Sequence, residues 1–282
     1  MLNELIKKQY NDCENYKVVD ASDNKRCIIC CSSNALWDYS EESFVNNVVK
    51  GDKYEWENIS KNPQLNYYGR RIFIRDIQMH FYVEGINKNC SSIDGIIKLL
   101  KPLTDGYEVT VVGSSAGGYL AIIIGCILGA KRVFSFGGQV DLTSWGGGNG
   151  KNKFSDFRFL YDKKDDPKYN KWYKTYDLVK GSNCTVYQVY AKYNESDTKQ
   201  ANLIKDCKNA CLIATKDTAH GHSFWGVVYP YLLTADDKAL QKYMARHSGT
   251  VPNQFGFCVK IAGLYNTVSY LSKKALKRLR IK

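Results

Sequence analysis

The sequence predicts an α/β fold with a mostly parallel central sheet and helices on both of its faces. Short runs of β-branched and aromatic residues alternate along the chain with longer, more polar stretches of helical spacing. Alternation of strand and helix is typical of a parallel sheet, because parallel strands need a crossover connection, usually a helix. The 282 residues can bury a large core, and neither a repeat nor a proline-rich linker divides them. We therefore expect one domain over residues 1–282.

Six stretches predict the strands of this sheet, and two stretches between them predict helices. The helix at 91–103 has apolar residues at helical spacing and leading serines suited to capping, and the helix from Gly117 to about Gly129 is almost wholly apolar. The predicted strands lie within "KRCIICCSS" (25–33), "RRIFIRD" (70–76), "YEVTVVGSS" (107–115), "AKRVFSFGGQ" (130–139), "CTVYQVYAKYNESD" (184–197) and "ACLIATKDTAHGHSF" (210–224). In such sheets chemistry collects in the loops at the carboxyl ends of the strands.

The composition is that of a globular protein with an excess of positive charge. The chain has 40 Lys and Arg against 28 Asp and Glu, a net charge of +12, which favours an anionic partner. Because no helix-turn-helix, zinc-finger or RNA-binding signature accompanies the basic residues, we do not expect nucleic acid to be that partner. The N-terminus lacks the apolar core of a signal peptide and the longest apolar run is too short to cross a bilayer, so we expect a cytoplasmic protein.

The ten cysteines are scattered, and the one close spacing, Cys27-Ile-Ile-Cys30, lies in a predicted strand. A zinc site needs a second ligand pair at a fixed spacing, and the sequence offers none. We therefore expect reduced thiols that act as small core residues, with no metal site and no cofactor.

The most concentrated basic block is the C-terminal "SYLSKKALKRLRIK", within a helix expected at about 262–282. Leu271, Ala275, Leu276 and Leu279 fall near helical spacing among six basic residues. Two interpretations are open at this stage. The apolar stripe lies on an anionic membrane leaflet, or it docks on the core and leaves a solvated helix end.

Chemistry is indicated by Gly113-Ser114-Ser115-Ala116-Gly117, which has the G-x-S-x-G pattern between a predicted strand and a predicted helix. A serine on a sharp turn needs neighbours without side chains two positions away, so that strand and helix can approach. The helix that begins after Ser115 also turns free amides and its positive dipole end toward any oxyanion formed there. Ser115 is therefore the predicted nucleophile, and Ser114 is expected to bond within the turn.

A serine nucleophile needs a base, and the base needs an orienting carboxylate. Of the four histidines, His80 is expected to be structural, His247 lies in a polar C-terminal segment, and the pair in "TAHGHSFWG" follows a predicted strand. We prefer His222 as the base because Gly221 and Ser223 leave its ring room to swing, with His220 as the close alternative.

For the carboxylate we prefer Asp197, which begins a predicted helix at the mouth of the sheet, although a helix N-cap is a competing role for it. Glu195 and Asp217 are the other candidates.

The order serine, acid, histidine is that of the α/β-hydrolase superfamily, which the sequence resembles over roughly residues 25–230. More narrowly, "FYVEGINKNCSSIDGIIKLL" and "VTVVGSSAGGYLAIIIGCILGAKRVFSFGGQVDL" resemble hydrolase-like proteins of bacterial polysaccharide biosynthesis. The resemblance implies that Ser115 attacks an ester, that His222 acts as base and then acid, and that Asp197 orients it. It also implies an oxyanion hole with the amide of Ala116 as one donor.

The second oxyanion donor is expected in the loop "CCSSNALWDYS", where Ser33 is our choice and Ser32 and Asn34 are expected to contact substrate. This loop departs from the lipase and esterase pattern, because it has no His-Gly-Gly stretch.

The resemblance also implies a cap over the site at the aromatic, basic insertion of about 141–180. There Trp145 and Trp172 are predicted to stack on a sugar, unless the aromatic residues only pack the cap onto the body.

These features predict an acyl hydrolase or acyltransferase that forms an acyl-enzyme on Ser115. The expected substrate is an acylated or anionic glycan or glycolipid precursor, and the basic C-terminus is expected to contact an anionic membrane from the cytoplasm. A second hypothesis is a non-catalytic binding or scaffold protein of polysaccharide assembly that keeps the hydrolase sheet, which would explain the absence of a recognisable oxyanion loop.

Overall fold

The structure, a computed structural model, describes residues 1–144, 158–221 and 224–279. Its strands are β1 (Tyr16–Asp20), β2 (Arg26–Cys31), β3 (Arg70–Ile74), β4 (Glu108–Ser114), β5 (Arg132–Phe136), β6 (Thr185–Ala191) and β7 (Ala210–Thr215). They form one sheet in the order β1-β3-β2-β4-β5-β6-β7, in which β1 runs antiparallel to β3 and all other neighbours are parallel. The predicted sheet is confirmed, and β1 is an edge strand that the sequence analysis did not include.

Helices cover both faces of the sheet. They are α1 (Leu2–Asp12), α2 (Glu41–Phe44), α3 (Glu57–Ser60), α4 (Ile93–Thr104), α5 (Ala116–Ile127), α6 (Arg158–Tyr161), α7 (Pro167–Asn170), α8 (Tyr176–Gly181), α9 (Glu195–Asn202), α10 (Val228–Leu233), α11 (Asp237–Arg246), α12 (Gln254–Ala262) and α13 (Leu264–Leu279). Short 3₁₀ helices lie at Asn34–Leu36, Pro63–Tyr67 and Leu142–Ser144, and a π-helical turn lies at Val45–Val49.

Two apolar cores form because successive strand residues point to opposite faces. On one face Val111 packs with α4 and α5, and on the other Val112 packs with α10, α11 and α12. The strands are accordingly near-continuous apolar runs, as expected for a sheet buried on both faces. All ten cysteines are free thiols and seven of them are buried. No helix among the described residues is long and apolar enough to cross a bilayer.

The helix predicted at 91–103 begins at a side-chain cap, whereas the helix predicted from Gly117 begins after Ser115 without one. Ser92 caps α4 by accepting a hydrogen bond from the amide of Gly95. The serines at the start of the predicted helix indicated this cap. Ser115 is the residue before α5, so this helix begins one residue earlier than predicted, at Ala116.

The described parts of the predicted cap, residues 141–144 and 158–180, are fastened to the body of the domain. The hydroxyl of Tyr119 in α5 donates to the carbonyl of Trp172 over 2.7 Å. The carboxylate of Glu84 accepts from both His80 and Lys163, and the ring of His80 stacks on Phe159 with centroids 3.9 Å apart. These contacts join the insertion to the loop after β3. The prediction that the insertion covers the active site stays a prediction.

The ion pair at Glu84 predicts a pH-dependent contribution to stability. The pKa of Glu84 is lowered to about 2, first by its hydrogen bond with His80 and then by Lys163. Because the folded-state pKa lies below the ordinary value of 4.5, the carboxylate stabilises the fold above about pH 4.5, and this contribution is lost as the pH falls toward 2. Glu84→Gln should lower the free energy of unfolding on the order of 2 kcal/mol at neutral pH.

Urea unfolding at a series of pH values measures this difference. It should shrink between pH 4.5 and 2. Asp12→Asn is the matched control, because Asp12 also pairs at i,i+4 spacing, with Lys8, but on an exposed surface where such pairs contribute little. A Glu84→Gln effect that stays constant with pH would show that the charge of Glu84 is not what stabilises the fold.

Candidate active site

Ser115 lies on a sharp turn between β4 and α5. Its backbone has φ 50° and ψ −119°, a conformation that residues with a side chain rarely adopt and that costs on the order of 1–3 kcal/mol. The turn is held by the amide of Ser115, which donates to the carbonyl of Phe136 over 2.8 Å. Glycines lie two positions before and two positions after Ser115, so its hydroxyl projects from the carboxyl edge of the sheet.

Two glycines allow this turn because the backbone approaches itself there. A Cβ atom on Gly113 would lie 2.1 Å from the carbonyl oxygen of Gly117. A Cβ atom on Gly117 would lie 2.3 Å from the carbonyl oxygen of Cys31 and 2.8 Å from that of Ser32. The first turn of α5 is thus in direct contact with the loop after β2, in which the second oxyanion donor is predicted.

A hydrogen-bonded chain joins Ser115, His220 and Asp197. Nε2 of His220 lies 2.8 Å from Oγ of Ser115, and Nδ1 lies 2.5 Å from Oδ1 of Asp197. Because a carboxylate only accepts hydrogen bonds, Nδ1 carries the ring proton and Nε2 accepts from the serine hydroxyl. The three residues follow β4, β7 and β6, whose carboxyl ends meet at one edge of the sheet.

The carboxylate of Asp197 is buried, whereas the imidazole is partly accessible. The side chain of Asp197 is 2% exposed and that of His220 is 33% exposed. Oδ2 of Asp197 has no hydrogen-bond partner in the described chain, so His220 is the partner recorded for this buried charge. An imidazolium beside it would be stabilised by a charge–charge contact that water barely screens.

The structure also decides between the roles considered for the acidic residues. Asn194, not Asp197, caps α9, because its side chain accepts from the amide of Asp197 over 3.1 Å. The competing N-cap role for Asp197 is therefore wrong. Glu195 is exposed, and Asp217 bonds the amides of Thr218 and Ala219 in its own loop.

Of the histidines, His220 makes the contacts that the sequence analysis assigned first to His222. His222 itself lies outside the described residues. His80 pairs with Glu84, and His247 packs on Tyr243 with ring centroids 4.6 Å apart. Both contacts are structural, as expected for His80.

The loop after β2 is held by hydrogen bonds of Ser32, Ser33 and Asn34. The amide of Ser33 donates to the carboxylate of Glu55 over 2.5 Å, and Oγ of Ser32 accepts from the amide of Glu55 over 3.2 Å. The side-chain amide of Asn34 donates to the carbonyl of Met79 over 3.1 Å. The Ser33 amide, predicted as the second oxyanion donor, is thus already bonded to a carboxylate. Ala116 is the first residue of α5, where amides have no acceptor within the helix.

Trp172 is a packing residue and not the predicted substrate contact. It is 8% exposed and lies in the core, and its indole NH donates to Asp94 of α4 over 3.3 Å. The Trp172 side chain packs the insertion onto the body of the domain. This is the packing role that the sequence analysis considered as the alternative to stacking on a sugar. Trp145 lies outside the described residues.

Glu55 is the site residue that sequence analysis missed. It lies in a loop 22 residues beyond Ser33, in a segment without a motif. Its neighbour Trp56 is 1% exposed and donates its indole NH to the carbonyl of Cys31 over 3.2 Å. A buried tryptophan beside a glutamate is too common a pattern to have indicated this contact.

No protein-family model and no curated protein matches the sequence. Among solved structures, the chain is similar to dipeptidyl peptidase 4 of Porphyromonas gingivalis, with a TM-score of 0.51 and 12% identity over 82% of this chain and 33% of that one. It is also similar to the capsule O-acetyltransferase of Neisseria meningitidis serogroup A, with a TM-score of 0.49 and 12% identity over 88% and 98% of the two chains. The acylaminoacyl peptidase of Pyrococcus horikoshii is similar with a TM-score of 0.44 and 13% identity, over 82% of this chain and 39% of that one.

The chain spans about a third of the length of the dipeptidyl peptidase that it matches. Strand order, the strand-to-helix turn after β4 and this structural similarity together show the fold. The chain has the α/β-hydrolase fold, as the sequence resemblance implied.

The turn at Ser115 predicts a strong effect of a single methyl group. Gly117→Ala should lower the free energy of unfolding by roughly 1–3 kcal/mol, because the added Cβ meets backbone atoms that cannot move aside. Gly181→Ala is the matched control, since a Cβ there meets nothing within 4 Å and removes backbone freedom from the unfolded chain. Equal urea midpoints for the two variants would contradict the close approach of α5 and the loop after β2.

Proposed function

We propose that the chain is a serine-dependent acyl hydrolase or acyltransferase. The observation that carries this proposal is the hydrogen-bonded chain from Ser115 through His220 to Asp197 on an α/β-hydrolase sheet. Fold alone does not fix function, so the weight rests on these three side chains. Relative to the sequence analysis, the base in this proposal is His220.

In the proposed reaction, Nε2 of His220 takes the proton of the Ser115 hydroxyl while Oγ attacks an ester carbonyl. The tetrahedral intermediate collapses, and His220 returns the proton to the leaving alcohol as the acyl-enzyme forms. Water or a sugar hydroxyl then attacks the acyl group, again with His220 as base, and Ser115 leaves with the proton. Asp197 holds the ring tautomer and stabilises the imidazolium in both steps.

The developing oxyanion needs amide donors that are already oriented. We propose the amide of Ala116 at the start of α5 as the first donor, where the helix dipole adds to its effect. The amide of Ser33 is the proposed second donor, and Glu55 competes with the oxyanion for it, because both are anionic acceptors of one N–H. Substrate binding must then displace the Glu55 carboxylate from Ser33.

The proposed substrate is an acylated or anionic glycan or glycolipid precursor in the cytoplasm. Support comes from the sequence resemblance to hydrolase-like proteins of polysaccharide biosynthesis and from the net charge of +12, which favours anionic ligands. Ser32, whose carbonyl lies beside Gly117 of α5, and Asn34 in the same loop are the proposed contacts to the substrate.

One observation favours a second candidate, a non-catalytic binding or scaffold protein. The carboxylate of Glu55 occupies the amide of Ser33, so one proposed oxyanion donor is engaged in this structure. In a scaffold the hydrogen-bonded serine would be a remnant without activated chemistry. The two candidates differ in whether Ser115 reacts with an electrophile.

Labelling by a fluorophosphonate probe tests the proposal directly, because the probe reacts with an activated serine and not with a merely folded one. We expect the wild type to be labelled and both Ser115→Ala and His220→Ala to lose labelling. Asp197→Asn should react about 10⁴-fold more slowly, because the ring tautomer is no longer held. His222→Ala serves as the matched histidine control and should keep its labelling.

Two results would change the assignment. Loss of labelling in His222→Ala and its retention in His220→Ala would return the role of base to His222. Absence of labelling in the folded wild type would contradict the hydrolase proposal and favour the scaffold candidate.

The contact between Glu55 and Ser33 predicts a gain of activity. Glu55→Gln removes the negative charge that competes with the oxyanion while keeping a side chain of the same shape. We expect a severalfold higher kcat for a small neutral ester, since neutral acceptors bind amides more weakly than carboxylates do. Steady-state kinetics measure this effect, with Glu57→Gln as the control because that carboxylate pairs with Lys17 instead. A fall in kcat would mean that Glu55 holds the loop in its active position.

A further inference from the structure

The positive charge of this protein is concentrated at its C-terminal end. Residues 238–282 contain ten Lys and Arg and no Asp or Glu, whereas the whole chain has a net charge of +12. The preceding 237 residues are therefore nearly neutral overall. Because the segment is positively charged and the rest of the protein is nearly neutral, an anionic partner is attracted to this segment.

The described part of this segment, residues 238–279, ends in α13, which packs on the body through polar residues. Thr267 is fully buried, and the hydroxyl of Tyr270 lies 3.4 Å from the amide nitrogen of Gly226. Asn266 and Ser269 line a cavity of about 420 Å³ between α13 and the neighbouring helices. The side of α13 that faces the protein is thus polar, the reverse of an ordinary amphipathic surface helix.

The apolar side of α13 faces solvent. Four large apolar residues, which we call the α13 stripe, are exposed: Leu264 (59%), Tyr265 (82%), Val268 (46%) and Leu276 (55%). Their spacing along the helix puts them on one side, as it does for Leu271 and Ala275. Of the residues for which docking on the core was considered, Ala275 and Leu276 are exposed, which contradicts that interpretation for them, and Leu271 is half-buried. The side chain of Leu279 lies outside the described ones. Contiguous exposed apolar residues of this kind mark interaction surfaces.

We propose that the α13 stripe lies on the surface of an anionic membrane. The exposed side chains of Lys273, Lys274 and Lys277 are on the same helix, so apolar insertion and attraction to anionic headgroups act together. Tyr265 has the amphipathic ring that is enriched at membrane interfaces. The 16-residue helix lies in the plane of the interface with its apolar side toward the acyl chains.

Charge argues against a second copy of the chain as the occupant. A symmetric dimer through α13 brings the same patch of both copies together, and with it two sets of lysines without a carboxylate on either segment. Like charges brought together across an interface oppose association. An anionic leaflet instead neutralises them.

The test uses the full chain with vesicles of phosphatidylcholine, with and without phosphatidylglycerol, in a sedimentation assay. Wild type should bind the vesicles that contain phosphatidylglycerol, and added salt should weaken the binding. Val268→Ser with Leu276→Ser should reduce the affinity about tenfold or more, because the insertion of apolar surface is lost. Lys274→Gln with Lys277→Gln should reduce it about fivefold for each lysine.

Matched controls separate the stripe from general surface effects. Val49 is as exposed as Val268, at 46%, and Val49→Ser should bind like wild type. Lys199→Gln with Lys205→Gln removes the same charge from exposed positions on another part of the surface and should also bind like wild type. Far-UV circular dichroism establishes that each variant is folded. Ser115→Ala should bind vesicles normally, so this test is independent of the proposed chemistry.

Three results would overturn the proposal. The first is vesicle binding that the two serine substitutions leave unchanged. The second is a wild-type dimer that Val268→Ser with Leu276→Ser converts to a monomer without any vesicle binding, which would make a second copy the occupant. The third is tight, salt-sensitive binding to random duplex DNA in the absence of vesicle binding, which would make nucleic acid the partner of the basic segment.

Discussion

The candidate site depends on the contact between the first turn of α5 and the loop after β2. There the backbones come so close that a Cβ atom on Gly117 would overlap the carbonyl group of Cys31, and a Cβ atom on Gly113 of β4 would overlap the carbonyl group of Gly117 itself. This contact sets the strained backbone of Ser115 and puts the amides of α5 beside the loop that carries Ser33. The strain is maintained because the flanking elements, β4 and α5, are buried in two apolar cores and cannot relax independently.

The parallel sheet brings the three side chains of the candidate site together. Ser115, Asp197 and His220 are far apart in sequence, and the common edge at the carboxyl ends of β4, β6 and β7 brings them within hydrogen-bond distance. Burial of Asp197 makes its charge effective, because water does not screen it, and partial exposure of His220 keeps the ring accessible to a substrate. Oδ1 of Asp197 accepts from Nδ1 of His220 over 2.5 Å, which favours the observed orientation of the ring.

How far the sequence predicted this arrangement depends on how local each signal is. The strands and the turn at Ser115 follow from contiguous apolar runs and a five-residue pattern, so they were predictable. The choice between His220 and His222 was not predictable, because the two are only two residues apart in the sequence and follow the same predicted strand. Glu55 was out of reach for another reason, since its contact with Ser33 depends on the packing of Trp56 in the core.

The same limit applies to α13, whose amphipathic pattern is plain in the sequence but whose orientation is not. Tertiary packing decided that the polar side faces the body. Tyr270 contacts Gly226, and Phe257 of α12 stacks on Phe224 with centroids 4.8 Å apart. One pair of helices therefore carries the exposed stripe on one side and packs against residues 224–226 on the other.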